Sequence, residues 1–259
     1  MLARVSSACM WLGLSTLLAP YSLGWAQLAN RDEGEQDPRL QFESSLSWQT
    51  GTIPLPNKIA TLNLSDSFRY LGPQDAQRVL VDAWGNPPGG ESLGMVFPAR
   101  LNPTDDNAWG VIISFAGDGH VSDSDAESIN YDDLLKDLQE RTQSTNEERT
   151  AQGYGSVTLV GWAERPAYDN IAKKMYWAKE IAFSDAPENT LNYDVRILGR
   201  EGVLVMQAIA GMSQLNTIKP GMDELLTMTE FNAGQRYADF DPAVDRTAAY
   251  GLAALVAGG

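Results

Sequence analysis

The chain has 259 residues, 34 acidic against 19 basic side chains, a formal net charge of -15, one cysteine and one histidine. That charge argues against a nucleic-acid partner and against electrostatic docking to anionic lipid. With His120 as its sole histidine and Cys9 as its sole cysteine, the chain excludes His/Cys zinc sites and paired-histidine haem ligation, and no cofactor is expected.

The N-terminus reads as a secretory signal over residues 1–26. Arg4 supplies the positive charge, Cys9 to Leu18 form an apolar run too short to span a bilayer, and Gly24 and Ala26 have the small-residue spacing that places cleavage before Gln27. Cleavage removes the only cysteine, so thiol chemistry and disulfides are absent from the mature chain and its stability must come from packing. The sequence therefore predicts an exported protein on the periplasmic or extracytoplasmic face of the inner membrane. Residues 27–45 are polar and aperiodic and are expected to form a flexible leader, with order beginning near Leu46.

From Trp48 to Leu71, short apolar stretches broken by Gly51, Pro54, Pro56 and Ser65-Asp66 predict two or three strands. A helix is expected from Pro73 to Trp84, with Ala76, Val79, Leu80 and Ala83 on one face. Strands follow at Leu93–Phe97 and Trp109–Phe115, the second apolar enough for burial on both faces. Asn130 is an N-cap for a helix whose inner face carries Leu134, Leu135 and Leu138.

Four strand-like runs, Ser156–Ala163, Lys174–Phe183, Leu191–Leu198 and Gly202–Ile209, are joined by short turns and predict two antiparallel hairpins in a meander. Ser213 then opens a helix that Pro220-Gly221 is expected to bend or divide. The fold class is α+β, a mainly antiparallel sheet packed by a few helices, with residues 46–246 as one extracytoplasmic domain. The uncharged run Thr247 to Gly259 falls short of the roughly 20 residues a spanning helix needs. It is either a docking C-terminal helix or the start of a membrane anchor that this chain lacks.

Candidate chemistry is sparse. There is no G-x-S-x-G elbow, S-x-x-K pair, Walker pattern or G-x-G-x-x-G turn. Asp118, Asp123, Asp125 and Glu127 crowd one loop and offer the oxygens a hard cation collects, but the EF-hand glycine and spacing are missing, and Ser124 with Glu127 makes a capping box instead. Trp162, Tyr168, Tyr176 and Trp177 form a candidate sugar-stacking platform, with Glu164 and Glu180 as candidate carboxylates on neighbouring strands. The competing readings are cross-strand packing for the aromatics and charge pairing with Arg165 and Lys179 for the acids.

In order, the chain contains G-N-P-P (85–88), D-G-H-V-S-D (118–123), N-Y-D-D-L-L (130–135) and G-W-A-E-R-P-A-Y-D (161–169). L-N-Y (191–193), R-I-L-G-R-E-G-V-L (196–204) and R-Y-A-D-F (236–240) follow. This series resembles a bacterial family of membrane-anchored proteins catalogued as domain of unknown function family 2167. The resemblance implies a signal peptide, a large extracytoplasmic domain and a C-terminal anchor beyond the apolar run, and it carries over no catalytic residue. The expected function is a non-enzymatic scaffold or partner-binding module with a membrane or envelope protein partner. Binding or hydrolysis of cell-wall glycan through Trp162, Glu164, Tyr168 and Trp177 is the alternative.

Overall fold

The computed structural model describes residues 37–86, 88–151 and 153–258. The expected export signal at residues 1–26 lies outside the described residues. Asp37 caps the first helix, α1 (Pro38–Ser44), by accepting from the Arg39 N–H. Phe42 of α1 packs on a buried cluster with Leu46, Leu71 and Phe97, so the end of the stretch expected as leader is folded. Four short strands follow, β1 (Trp48–Gln49), β2 (Thr52–Pro54), β3 (Ala60–Asn63) and β4 (Phe68–Leu71). The helix after them is α2 (Pro73–Arg78), prolonged by a wider π-type turn to Ala83.

β5 (Gly94–Pro98) and β6 (Val111–Ala116) are the next long strands, and β7 (His120–Ser122) is a short one. Val111 and Ile113 face one apolar cluster while Ile112 faces another, which accounts for the continuous apolar run. Asn130 caps α3 (Tyr131–Ser144) as its sequence suggests, accepting from the N–H groups of Asp132 and Asp133 at 3.1 and 3.3 Å. Replacing Asn130 by alanine is expected to cost about 1 kcal/mol, read as a shift of the urea midpoint with unchanged slope. The short α4 (Asn146–Ala151) follows.

The four predicted runs are β8 (Val157–Asp169), β9 (Lys174–Phe183), β10 (Thr190–Leu198) and β11 (Val203–Gly211), paired antiparallel in succession as a meander. Together with the earlier strands they form one eight-stranded sheet in the order β1-β4-β5-β6-β11-β10-β9-β8, antiparallel at every pairing. The long edge strand β8 is covered over its first residues. Asn146 bonds both backbone groups of Val157, and the Gln139 amide donates to the carbonyls of Leu159 and Val160. Side chains thus occupy backbone groups on which another chain would pair.

Ser213 does not cap the next helix. It sits in a 3-10 turn, Met212–Gln214, and its N–H donates to Glu188. α5 (Leu215–Thr227) runs unbroken through Pro220, held by buried Ile218, Met222 and Leu225. Gly221 is needed for approach rather than for breaking, since a Cβ there would stand 2.8 Å from the Trp109 ring. The sequence reading missed β12 (Thr229–Phe231), which completes a small sheet with β3 and β2. It also missed β13 (Thr247–Gly251), which pairs parallel with β7. The chain then forms α6 (Leu252–Ala257), with Leu252, Leu255 and Val256 buried.

The architecture is α+β. One face of the large sheet packs against α5 and the small sheet through the largest apolar cluster. The other face carries α2 over the β4–β5 end, α3 over the start of β8 and α6 over the ends of β9 to β11. The apolar C-terminal run is therefore accounted for by burial in the domain, and among the described residues no helix is long and apolar enough to cross a membrane.

Candidate functional site

At one end of the large sheet, the β8–β9 turn, the β10–β11 turn, β7 and the 232–246 segment meet around Asp123. One carboxylate oxygen of Asp123 accepts from Lys173 Nζ and from the Tyr168 hydroxyl, both at 2.7 Å, and the other accepts from the Tyr237 hydroxyl at 3.0 Å. Burial alone would raise this carboxyl. The three donors outweigh it and pull Asp123 down to about 2, while burial first and the carboxylate second push the Tyr237 hydroxyl up to about 12. The arrangement is a saturated clamp rather than a proton relay, because its acid is fixed as an anion and its phenols as donors.

His120 lies against the clamp. Its ring stacks on Phe240 at 3.9 Å and sits 4.2 Å from the Tyr237 ring, with Nδ1 buried and without a partner. Gly119 makes this position reachable: its φ of +109° is a glycine conformation, and a Cβ would lie 2.6 Å from the Arg246 carbonyl, which accepts from the His120 N–H. Burial lowers the His120 pKa, against weaker raising effects from the Arg200 and Gly199 backbone and from Asp123 and Asp245. A histidine held neutral in the fold takes up its proton more readily when unfolded, so stability is lost as pH falls below the ordinary value of 6.5. Unfolding free energy is expected to drop between about pH 7.5 and about pH 5.5, and His120→Phe, which preserves the stack, is expected to flatten that drop.

A second ring of bonds fixes the surrounding loops. Arg200 grips Asp245 with two bonds of 2.7 and 2.8 Å, Asp245 also accepts from the Asp241 N–H, and Arg246 donates to the Gly117 carbonyl. At the β8–β9 tip, Asp169 accepts from the N–H groups of Ile171 and Ala172, and Lys173 bridges to Asn170 at 2.6 Å. These bonds hold Ile171 98% exposed and Val244 74% exposed at the same end of the sheet.

A family model described as "Protein of unknown function (DUF2167)" matches residues 47–259. The chain belongs to the DUF2167 family. No curated protein matches it. Among solved structures it is similar to the cyanobacterial PsbP (CyanoP) of Synechocystis sp. PCC 6803, with 10% identity and a TM-score of 0.37 over 80% of this chain and 99% of that one. It is also similar to the Ran-binding protein Mog1p of Saccharomyces cerevisiae, with 9% identity and a TM-score of 0.36 over 76% of this chain and 100% of that one.

The residues singled out in this DUF2167 chain fall in several places. Asp118 accepts from the Tyr250 hydroxyl, Asp123 is the clamp, Asp125 accepts from the Leu252 and Ala253 N–H groups at the start of α6, and Glu127 is exposed in a 3-10 turn. Among the described residues no three His, Cys, Asp or Glu side chains gather as a metal would need. The Ser124–Glu127 capping box does not form either: that turn follows Asp125 without a side-chain cap.

Trp162, Tyr168 and Trp177 share one apolar cluster beneath the helices, and Trp162 donates to the Tyr131 carbonyl. Trp177 is buried, and Trp162 and Tyr168 are half-buried against the same cluster, so all three are engaged in packing. Tyr176 packs on the opposite face, where Glu164 accepts from Lys219 of α5 at 2.6 Å. Glu180 accepts from Asn189 and Arg165 pairs with Asp132, so the pairings expected from sequence neighbours are replaced by tertiary ones. Lys173, Tyr237 and Phe240 went unnoticed in the sequence reading, although D-G-H-V-S-D, the A-Y-D of the long motif and R-Y-A-D-F each deliver one side of the clamp.

Proposed function

We propose that this DUF2167 domain is a non-enzymatic, partner-binding module on the extracytoplasmic side of the membrane, and that it docks through the clamped end of its sheet. The observation that carries the reading is Ile171, an apolar side chain held almost wholly in water at a tip whose backbone and neighbours are tied by four hydrogen bonds. Leaving such a side chain exposed forgoes about 1.5–3 kcal/mol of burial, and a pre-ordered anchor recovers it on binding without the cost of ordering a loop. Val244, on a segment that Arg200 ties to the β10–β11 turn through Asp245, is a second exposed apolar side chain at this end of the sheet. The basic and apolar N-terminus supports export, and the family resemblance supports an anchored neighbour or an anchor of its own as what brings the partner close.

The glycan alternative has less support, because Trp177 is buried, Trp162 and Tyr168 pack against its cluster, and Glu164 lies across the sheet from them. Ile171→Asp combined with Val244→Asp is expected to leave the melting temperature unchanged and to remove crosslinks made by this end of the domain in native membranes. Undiminished crosslinks from a folded double variant contradict the docking surface.

A further inference from the structure

Residues 232–246 run across the clamped end of the sheet as a strap. No residue of it is buried as a whole, although the Asp245 side chain is covered. Arg200 of the β10–β11 turn pins both ends: its N–H and guanidinium donate to the carbonyls of Gln235 and Gly234, and the same guanidinium grips Asp245. Between the pins, Tyr237 and Phe240 fasten the strap to the body. The Tyr237 hydroxyl donates to Asp123, its ring packs on the Val121 cluster, and both rings lie on His120. A segment held by so few interior contacts opens at a fraction of the cost of global unfolding.

Among those contacts His120 is the one that titrates near neutrality. It is 8% exposed, and its buried Nδ1 has no partner among the described residues. An imidazolium in that slot carries an N–H that no acceptor meets. The charged groups around it do not remove this cost. Asp123, just after β7, is engaged by Lys173, Tyr168 and Tyr237, and Asp245 of the strap by Arg200. Asp118 accepts from Tyr250, Asp239 from the Gly234 and Arg236 N–H groups, and Arg246 donates to the Gly117 carbonyl. Glu201, Arg236 and Asp241 are exposed. The faces of Phe240 and Tyr237 attract a cation, yet they offer Nδ1 no acceptor. Burial is accordingly the largest influence on His120 and lowers it below 6.5, against the pull of Asp123 and Asp245. With the strap open the ring meets water and takes up its proton at the ordinary value, so falling pH favours the open form.

We propose that residues 237–244 are an acid-released strap with His120 as its latch, closed over the clamp at neutral pH and open once the imidazole is protonated. Asp123, held down to about 2, keeps its charge throughout this range, so Lys173 and Tyr168 go on bracing the Ile171 tip. The consequence rests on the docking role proposed above: the surface that carries Val244 is ordered at neutral pH and slackens in acid, which releases the partner.

The test is amide hydrogen exchange of the full chain, corrected for its intrinsic pH dependence, beside proton resonance of the imidazole, which the chain's single histidine makes unambiguous. Protection of residues 237–244 is expected to fall about tenfold between about pH 7.5 and about pH 5.5, while β10 and β11 keep theirs. Its midpoint should coincide with the titration of His120, below 6.5. His120→Phe keeps the stack and is expected to hold protection constant; should that variant not fold, the coincidence of the two wild-type midpoints decides. A strap whose protection ignores the titration of His120, a His120 midpoint at or above 6.5, or an acid loss that survives in His120→Phe overturns the proposal. Exchange needs no partner, so the strap is judged apart from docking: an absent crosslink from position 171 at neutral pH contradicts the docking surface alone, whereas a crosslink present at neutral pH is expected to weaken at about pH 5.5 in the wild type and to persist in His120→Phe.

Discussion

Leu252→Ala is expected to lower the unfolding free energy by about 3 kcal/mol, the cost of truncating a fully enclosed leucine and leaving a void. Leu252 is 0% exposed and opens α6, whose first N–H groups are held by Asp125. Its cluster joins Val121 of β7, Met175 and Trp177 of β9, and Val203 of β11. A void there therefore loosens the C-terminal run and the far ends of the central strands together. The measurement is equilibrium denaturation, with far-ultraviolet ellipticity and tryptophan fluorescence expected to report one coincident transition. A change below about 1 kcal/mol would mean that the apolar C-terminus is an appendage of the domain and not part of its core.

Asp123→Ala is expected to cost about 3 kcal/mol, because it strands three donors at once. Lys173 and Asp123 retain partial contact with solvent, with side chains 28% and 22% exposed, which keeps the figure below that of a fully buried ion pair. Asp123→Asn keeps one acceptor oxygen and should lose about half as much. The carboxyl is depressed in the fold from 3.8 to about 2. Its stabilising contribution is therefore complete above the unfolded value and is lost as pH falls through the folded one. The wild type and Asp123→Asn should accordingly converge in stability as pH falls from about 4 to about 2. Parallel curves across that window would show that the carboxylate charge is not what holds the four segments.

The sequence disclosed what depends on neighbours in the chain. The β8–β11 meander was legible because each strand is a contiguous apolar run closed by a short turn, and the α3 start because Asn130 bonds its own next residues. The α2 face was legible from the spacing of Ala76, Val79 and Leu80. Hidden were the features made by distant segments: β13 finds β7 across more than half the domain, and β12 finds β3 across most of it. Both are too short and too mixed for a period to show. The same locality misled the reading of charge, since Arg165 is adjacent to Glu164 in sequence yet pairs with Asp132 of α3, and Glu180, adjacent to Lys179, accepts from Asn189. Pro220-Gly221 signalled a break, but buried residues on either side keep α5 whole, and the glycine serves the Trp109 ring. The clamp was half legible: Asp118 and Asp123 attracted notice as acids on a loop, whereas the donors that give Asp123 its role come from Tyr168, Lys173 and Tyr237, far apart in the chain.

Docking through the braced end of the sheet can be tested with a photo-crosslinking residue at position 171. The full-length protein would carry it in native membranes, beside a control at position 154, where Tyr154 is 58% exposed. One dominant envelope-protein adduct is expected from position 171, absent from position 154 and lost when Val244→Asp is added. Equal labelling from both positions, or no protein adduct from position 171, would contradict it.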